Sequence, residues 1–424
     1  MVRQERANLF LIGSLSTPGL RHNFSVPSRE HTRWIIERAA AAGFDLCGVV
    51  AVEDYPELGR LPEWLARGYA GEMHYLDDPR RLSPERMLAG AKSLIVCGLN
   101  YNSSHPASTE AIPPATTGKS DRPRGWISRY AWGDDYHDVL LAKLEDLAAA
   151  LHGQFPWDFE ARAYVDTGPI LERVVARHAG LGWQGKNTCL INEEIGSMFF
   201  LGVIITSLEL APSLAPGEAP PPDLCGNCRL CIDACPTTAI VEPYVLDARR
   251  CIAYLTIELR GSIPRELREP MGRHVFGCDI CQDVCPWNRN APVGSLAAFQ
   301  PRSWNAVSGN QNAKPENGDS ASALSEPQVA AHEQSLFFPD LEWLASLTEE
   351  EYRQVFRGSP VKRAKWRGLV RNTCVALGNS GLRPGSASYP RVTKLLDDLS
   401  DSQDPVIAEH AAWALRRLCL ANGL

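Results

Sequence analysis

The sequence predicts an α+β multidomain chain: an N-terminal domain in which helices and strands alternate, a compact cysteine-rich module, and a short all-helical tail. Three observations predict it. Strand-like apolar runs are interleaved with helical periodicity as far as Thr206. Two cysteine strings then follow close together, and the last segment holds two helices that each open on a polar residue and a proline.

Residues 1–27 lack clear periodicity and read as a tail. From Arg29 a helical pattern carried by Trp34, Ile35 and Ala39 ends near Gly43, and residues 45–52 read as a strand. Residues 93–99 and 200–206 are further strand-like runs, with a polar stretch of helical segments at 61–88. These elements make 28–210 one domain. Residues 103–125, 211–222 and 303–328 are rich in Ser, Pro, Asn or Gly and read as loops. The first is read as a surface insertion, with a lid over an active site as its alternative. The last makes 301–335 a linker between a cysteine module at 211–300 and a tail at 336–424.

The cysteine strings are Cys225, Cys228, Cys231 and Cys235-Pro236, then Cys251, Cys278, Cys281 and Cys285-Pro286. Eight thiolates are what two [4Fe-4S] cubes require, and in two-cluster ferredoxins the cysteine before the proline reaches across to the other cube. The expected partition is therefore Cys225, Cys228, Cys231 and Cys285 on one cluster, with Cys235, Cys251, Cys278 and Cys281 on the other. Val275 stands where the second string should have its first cysteine, and Cys251 is the natural substitute. Zinc also takes four cysteines, but its motifs rarely have this rhythm. Disulfides need an oxidising compartment, whereas the apolar run at 9–15 is too short for a secretory signal and has Glu5 in its flank. Cys47, Cys97, Cys189, Cys374 and Cys419 read as packing residues.

A hydrophobic content of 44% with 22% charge describes a soluble globular protein, and no apolar run approaches the roughly 18 residues of a membrane span. The expectation is a cytoplasmic monomer. A net charge of −7 argues against a generally basic nucleic-acid coat, yet residues 353–394 contain no Asp or Glu and ten Lys or Arg. That stretch is either a solvated helix face or a phosphate-binding surface. Ser359-Pro360 and Asp404-Pro405 open its flanking helices, and Gly378 can close the first. The small and apolar runs 375–377 and 412–415 suggest helix pairs stacked like HEAT repeats.

Paired cubes relay electrons and do not themselves transform an organic substrate, so a neighbouring redox site is expected in the N-terminal domain. Its marked strings are 129–137 (RYAWGDDYH), 164–169 (YVDTGP) and 182–187 (GWQGKN), without a nicotinamide or flavin fingerprint. Asp166 follows a strand-like stretch. It is a candidate general acid needing a raised pKa, or a cap for the helix near Pro169.

These strings, with the two cysteine motifs and the run 251–258 (CIAYLTIE) between them, resemble the epoxyqueuosine reductases over residues 30–300, and the helical tail fits as well. The resemblance implies a nitroreductase-like domain that binds cobalamin without an ordinary histidine ligand, beside a ferredoxin-like two-cluster module. It implies the last step of queuosine biosynthesis, reduction of epoxyqueuosine at the wobble position of tRNA, with an external low-potential electron donor. Asp166 becomes the proton donor beside the corrin, with Asp135 and His137 in reserve. Gly185, Lys186 and Asn187 are expected to line the corrin and Thr256 to lie beside the clusters. Lys362, Arg363, Lys365, Arg367 and Arg371 are expected to contact tRNA phosphates. The rivals are a reductive dehalogenase, which usually carries an export signal not seen here, and a plain ferredoxin-type electron carrier.

Overall fold

The computed structural model describes residues 28–110, 122–305 and 333–420. The tail at 1–27 and much of the loops expected at 103–125 and 303–328 lie outside the described residues.

Strands Leu46–Ala51, Ser93–Asn100, Phe199–Thr206 and Ala161–Tyr164 lie side by side in that order. Each neighbouring pair is antiparallel, with Cys47 opposite Cys97 and Ile95 opposite Ile204. The sheet is covered on both faces, which is why its central strands read as unbroken apolar runs. One core gathers Val49, Ile95, Cys97 and Ile204 under Ile35 and Ala39 of helix Arg29–Ala41 and Leu140, Leu144 and Leu147 of helix Tyr136–Gln154. The alternate residues Val50, Leu94, Val96, Val203 and Ile205 meet Val175 and Ala176 of helix Glu172–His178. The first three expected strands and the first helix are present within a residue or two.

In the cysteine module the two strings form equivalent short helices, Leu230–Asp233 and Ile280–Asp283, which pack against each other. Strand His274–Phe276 pairs in parallel with Trp126–Ile127 of the N-terminal part. Buried Asp279 fastens this junction by accepting from Arg129 N at 2.7 Å, Trp126 Nε1 at 3.2 Å and the Ser128 hydroxyl.

Ser359 caps a short 3-10 turn at Pro360–Ala364 that runs into helix Lys365–Gly378, and Asp404 caps Pro405–Leu420. A Cβ on Gly378 would lie 2.9 Å from Ala414 Cα and 2.8 Å from Trp413, so this glycine lets the two helices cross closely. A single core joins Trp126, Ile127 and Trp132 to Val275 and Phe276 and to Leu341, Leu369 and Leu377. Segments from all three expected parts thus share one apolar interior. Among the described residues no helix is long and apolar enough to cross a membrane.

Candidate active site and cluster cradles

Asp166 sits two residues beyond strand Ala161–Tyr164, in a left-handed conformation (φ 55°) that few non-glycine residues adopt. The Asp166 side chain is 62% exposed, in a recess walled by the start of helix Tyr136–Gln154. It does not cap the following helix, which starts after Leu171. Tyr136 Oη donates to Asp166 Oδ2 at 2.7 Å, and His137 Nε2 lies 3.7 Å from the same oxygen. Tyr136 is held by stacking on Phe200, with ring centroids 4.3 Å apart.

Behind His137, Asp135 caps the helix, and its Oδ1 is 2.7 Å from His137 Nδ1. Its other oxygen pairs with Lys362 Nζ at 2.7 Å. The result is a chain of charges, Lys362, Asp135, His137 and Asp166. Partial desolvation by the recess walls alone would push the Asp166 carboxyl upward, but the nearby His137 cation and the hydrogen bond from Tyr136 outweigh it and hold the group at about 2. Burial would lower His137, yet Asp135 and Asp166 raise it to about 9. At neutral pH Asp166 is therefore a carboxylate beside an imidazolium, not the proton-bearing acid that the sequence reading required.

Glu172, which the sequence reading did not single out, accepts from Asp166 N through Oε1 at 2.7 Å. Burial, followed by the nearby Asp166 charge, raises its carboxyl to about 8. One Glu six residues after an Asp is too ordinary a pattern to have marked it. Arg173, next in the helix, donates to Thr188 O at 2.8 Å. Thr188 precedes Cys189, whose thiol neighbours that of Cys281. Contacts thus run from the acid recess toward the second cysteine string.

Cys225, Cys228, Cys231 and Cys285 line one cavity of about 210 Å³, together with Leu230 and Trp287. The buried indole N–H of Trp183 has no oxygen or nitrogen acceptor there and is directed at the Cys225 sulfur. Such a stranded donor suits a sulfur-rich cluster. Cys235, Cys251 and Cys278 feel one another's charge, and Cys281 lies close to Cys251 and Cys278. Cys251 heads helix Ile252–Ile257, whose Ala253 and Tyr254 amides point at its sulfur.

Lys186 donates to Gly226 O and Cys228 O, and Asn187 Nδ2 donates to Cys281 O. Their polar ends therefore clamp the cluster loops. Gly185 is pressed against Ile191, 2.5 Å from where a Cβ would stand. Thr256 is buried, with Oγ1 accepting from Gly277 N at 2.9 Å just before Cys278.

The expected basic surface changes most. Arg371 is 1% exposed, and its guanidinium donates to the carbonyls of Leu255, Leu259 and Gly261. It is an internal strut and not a phosphate ligand, because its guanidinium is buried and already donates to these three carbonyls. Arg363 pairs with Glu258 and Arg367 with Asp404, so acids from outside the acid-free stretch meet its cations. Lys365 is exposed.

A sheet domain with a carboxylate recess, fused to a cradle for two clusters, defines an iron-sulfur oxidoreductase. Residues 224–288 match the family described as a 4Fe-4S double cluster binding domain, and residues 81–167 match "Epoxyqueuosine reductase QueG, DUF1730". The chain is 36% identical over 379 residues to the epoxyqueuosine reductase of Xanthomonas campestris pv. campestris, covering 89% of this chain and 93% of that one. It is 42% identical over 315 residues to the Synechocystis enzyme, covering 74% and 92%. A crystal structure of epoxyqueuosine reductase with an epoxyqueuosine-modified tRNA-Tyr stem loop superposes with a TM-score of 0.72 at 28% identity, covering 92% of this chain and 90% of that one. The Bacillus subtilis enzyme, with its catalytic aspartate loop swung out of the active site, gives 0.71 at 28% identity with the same coverage. The chain belongs to the epoxyqueuosine reductase family.

Proposed function

We propose that this protein reduces epoxyqueuosine to queuosine at the wobble position of tRNA, using two [4Fe-4S] clusters and cobalamin, with Asp166 as the group that delivers a proton to the departing oxygen. The observation that carries this reading is the recess itself, whose exposed carboxylate is linked toward Cys281 through Glu172, Arg173, Thr188 and Cys189. Membership in the family supplies the substrate.

The donor set suits a corrin held without imidazole. His137 is the histidine of this recess, and its nitrogens already face Asp135 and Asp166. Cobalamin, when bound, supplies the two-electron reductant for the epoxide, with the clusters as its source of electrons. Gly185, Lys186 and Asn187 then act mainly by fixing the cluster loops beside the corrin, and Thr256 by holding Gly277. Tyr136 and His137 orient the Asp166 carboxylate and feed it protons. On this reading 28–210 is the nitroreductase-like catalytic domain, 211–300 the ferredoxin-like module and 336–424 a HEAT-like tRNA-binding domain, joined by a linker at 301–335.

The exposed cations Lys362, Arg363, Lys365 and Arg367 are the phosphate contacts that position a stem loop while one nucleoside is extruded into the recess. Lys362 and Arg363 touch acid partners of the recess wall, which links tRNA docking to the acid. The test is omission. Reconstituted protein should bind cobalamin with a changed visible spectrum and reduce an epoxyqueuosine stem loop only when cobalamin is present. Equal turnover without it refutes the cofactor assignment.

A further inference from the structure

The reaction consumes two protons with its two electrons, and a lone ionised Asp166 stores neither. We infer that Glu172 is a positioning residue that clips the Asp166 turn into the recess and stores a proton for it. This inference rests on the reading of Asp166 as the proton-delivering group.

The geometry is specific. Glu172 Oε1 accepts the Asp166 amide at 2.7 Å, so the carboxyl of one residue fixes the backbone that carries the other. That backbone is in the left-handed region (φ 55°), a conformation that needs an external tie to persist in a residue with a side chain. Two carboxyl groups so close repel when both are ionised, so one retains a proton. Asp166 has the stabilising donors, Tyr136 Oη and His137 Nε2, whereas among the described residues Glu172 makes no ion pair. The proton therefore rests on Glu172.

The charged and titratable groups facing Glu172 are Asp166, His137 and Tyr136 across the recess and Arg173 on its own helix, whose guanidinium is turned to Thr188 O. The strands beneath that helix present Val50, Leu94, Val96, Val203 and Ile205, which add burial without charge. Burial first, then Asp166, keeps the Glu172 carboxyl protonated to about pH 8.

The step balances simply. As the C–O bond of the epoxide breaks, the Glu172 carboxyl gives up its proton, the Asp166 carboxylate relays it to the departing oxygen, and solvent then reprotonates Glu172 and supplies the second proton. Two electrons from the external low-potential donor and two protons yield the alkene and water.

Two variants separate clip from store. Glu172→Gln keeps a carbonyl for the Asp166 amide but has no proton to give, while Glu172→Ala removes both. With reconstituted protein, Glu172→Gln should lower kcat about tenfold or more, leave the stem-loop KM within about twofold, and abolish an alkaline limb near pH 8. Infrared spectra of the same proteins, recorded without turnover, should show a protonated carboxyl band at pH 7 that Glu172→Gln lacks. A Glu172→Gln enzyme with wild-type kcat and an unchanged alkaline limb, or one that retains the band, overturns the store. Wild-type protein that fails to reduce the stem loop while showing the band overturns the reading of the reaction instead.

Discussion

Lys362 and Asp135 form an ion pair of 2.7 Å that ties the helical C-terminal segment to the N-cap of the helix carrying Tyr136 and His137. The two residues are far apart in sequence, and one end of the pair is exposed while the other is buried. Replacing Lys362 by Met leaves the buried Asp135 carboxylate with the His137 imidazolium as its remaining cation. Because the lysine is half in solvent, the cost should be on the order of 1 kcal/mol in folding stability. A reduced turnover should accompany it as Asp135, which fixes His137, loses one of its two tethers. Denaturant midpoints and stem-loop kinetics check both, and unaltered kinetics would separate the pair from the active site.

Replacing Asp166 by Asn should keep cluster content, cobalamin binding and stem-loop affinity while lowering turnover by about two orders of magnitude or more. Single-turnover nucleoside analysis checks this. A rate near wild type removes Asp166 as proton donor.

Stability should depend on pH in a defined direction. His137 is raised from 6.5 to about 9, so its stabilisation is complete below 6.5 and lost as pH rises through 9. Glu172, raised from 4.5 to about 8, works in the same direction, because the unfolded chain gives up that proton sooner. Asp166, lowered from 3.8 to about 2, stabilises above 3.8 and ceases to do so as pH falls through 2. The thermal midpoint should therefore decline between pH 7 and 9, and His137→Gln should flatten part of that decline. A wild-type midpoint constant over this interval contradicts the charge arrangement.

Arg371 and its neighbours should respond differently to substitution. Arg371→Ala removes the donor to the buried Leu255 carbonyl and to the part-buried carbonyls of Leu259 and Gly261 and should cost about 3 kcal/mol, with stem-loop affinity of the folded fraction unchanged. Neutralising Lys362, Arg363, Lys365 and Arg367 together should instead weaken stem-loop binding and reduce its salt dependence. Affinity titrations at two ionic strengths, beside denaturant curves, distinguish the two effects.

What the sequence made legible is local. Strand runs are apolar because both sheet faces are covered, and the cysteine spacing pointed to a two-cluster module, the family that residues 224–288 match. Asp135, Asp166 and His137 stand in strings unusual enough to notice. Glu172 was missed because its importance lies in a single bond to the Asp166 amide. The burial of Arg371 was missed because the carbonyls it serves, at Leu255, Leu259 and Gly261, are brought to it only by folding. The alternation of helices and strands also concealed an antiparallel sheet, since pairing is a property of distant segments.

The most direct measurement is mass analysis of nucleosides from an epoxyqueuosine-modified stem loop after anaerobic incubation with the reconstituted protein, cobalamin and a low-potential reductant. The account predicts a product lacking one oxygen atom and identical to queuosine, from protein carrying about eight irons. Unchanged epoxyqueuosine, from protein shown to hold both clusters and the corrin, would contradict it.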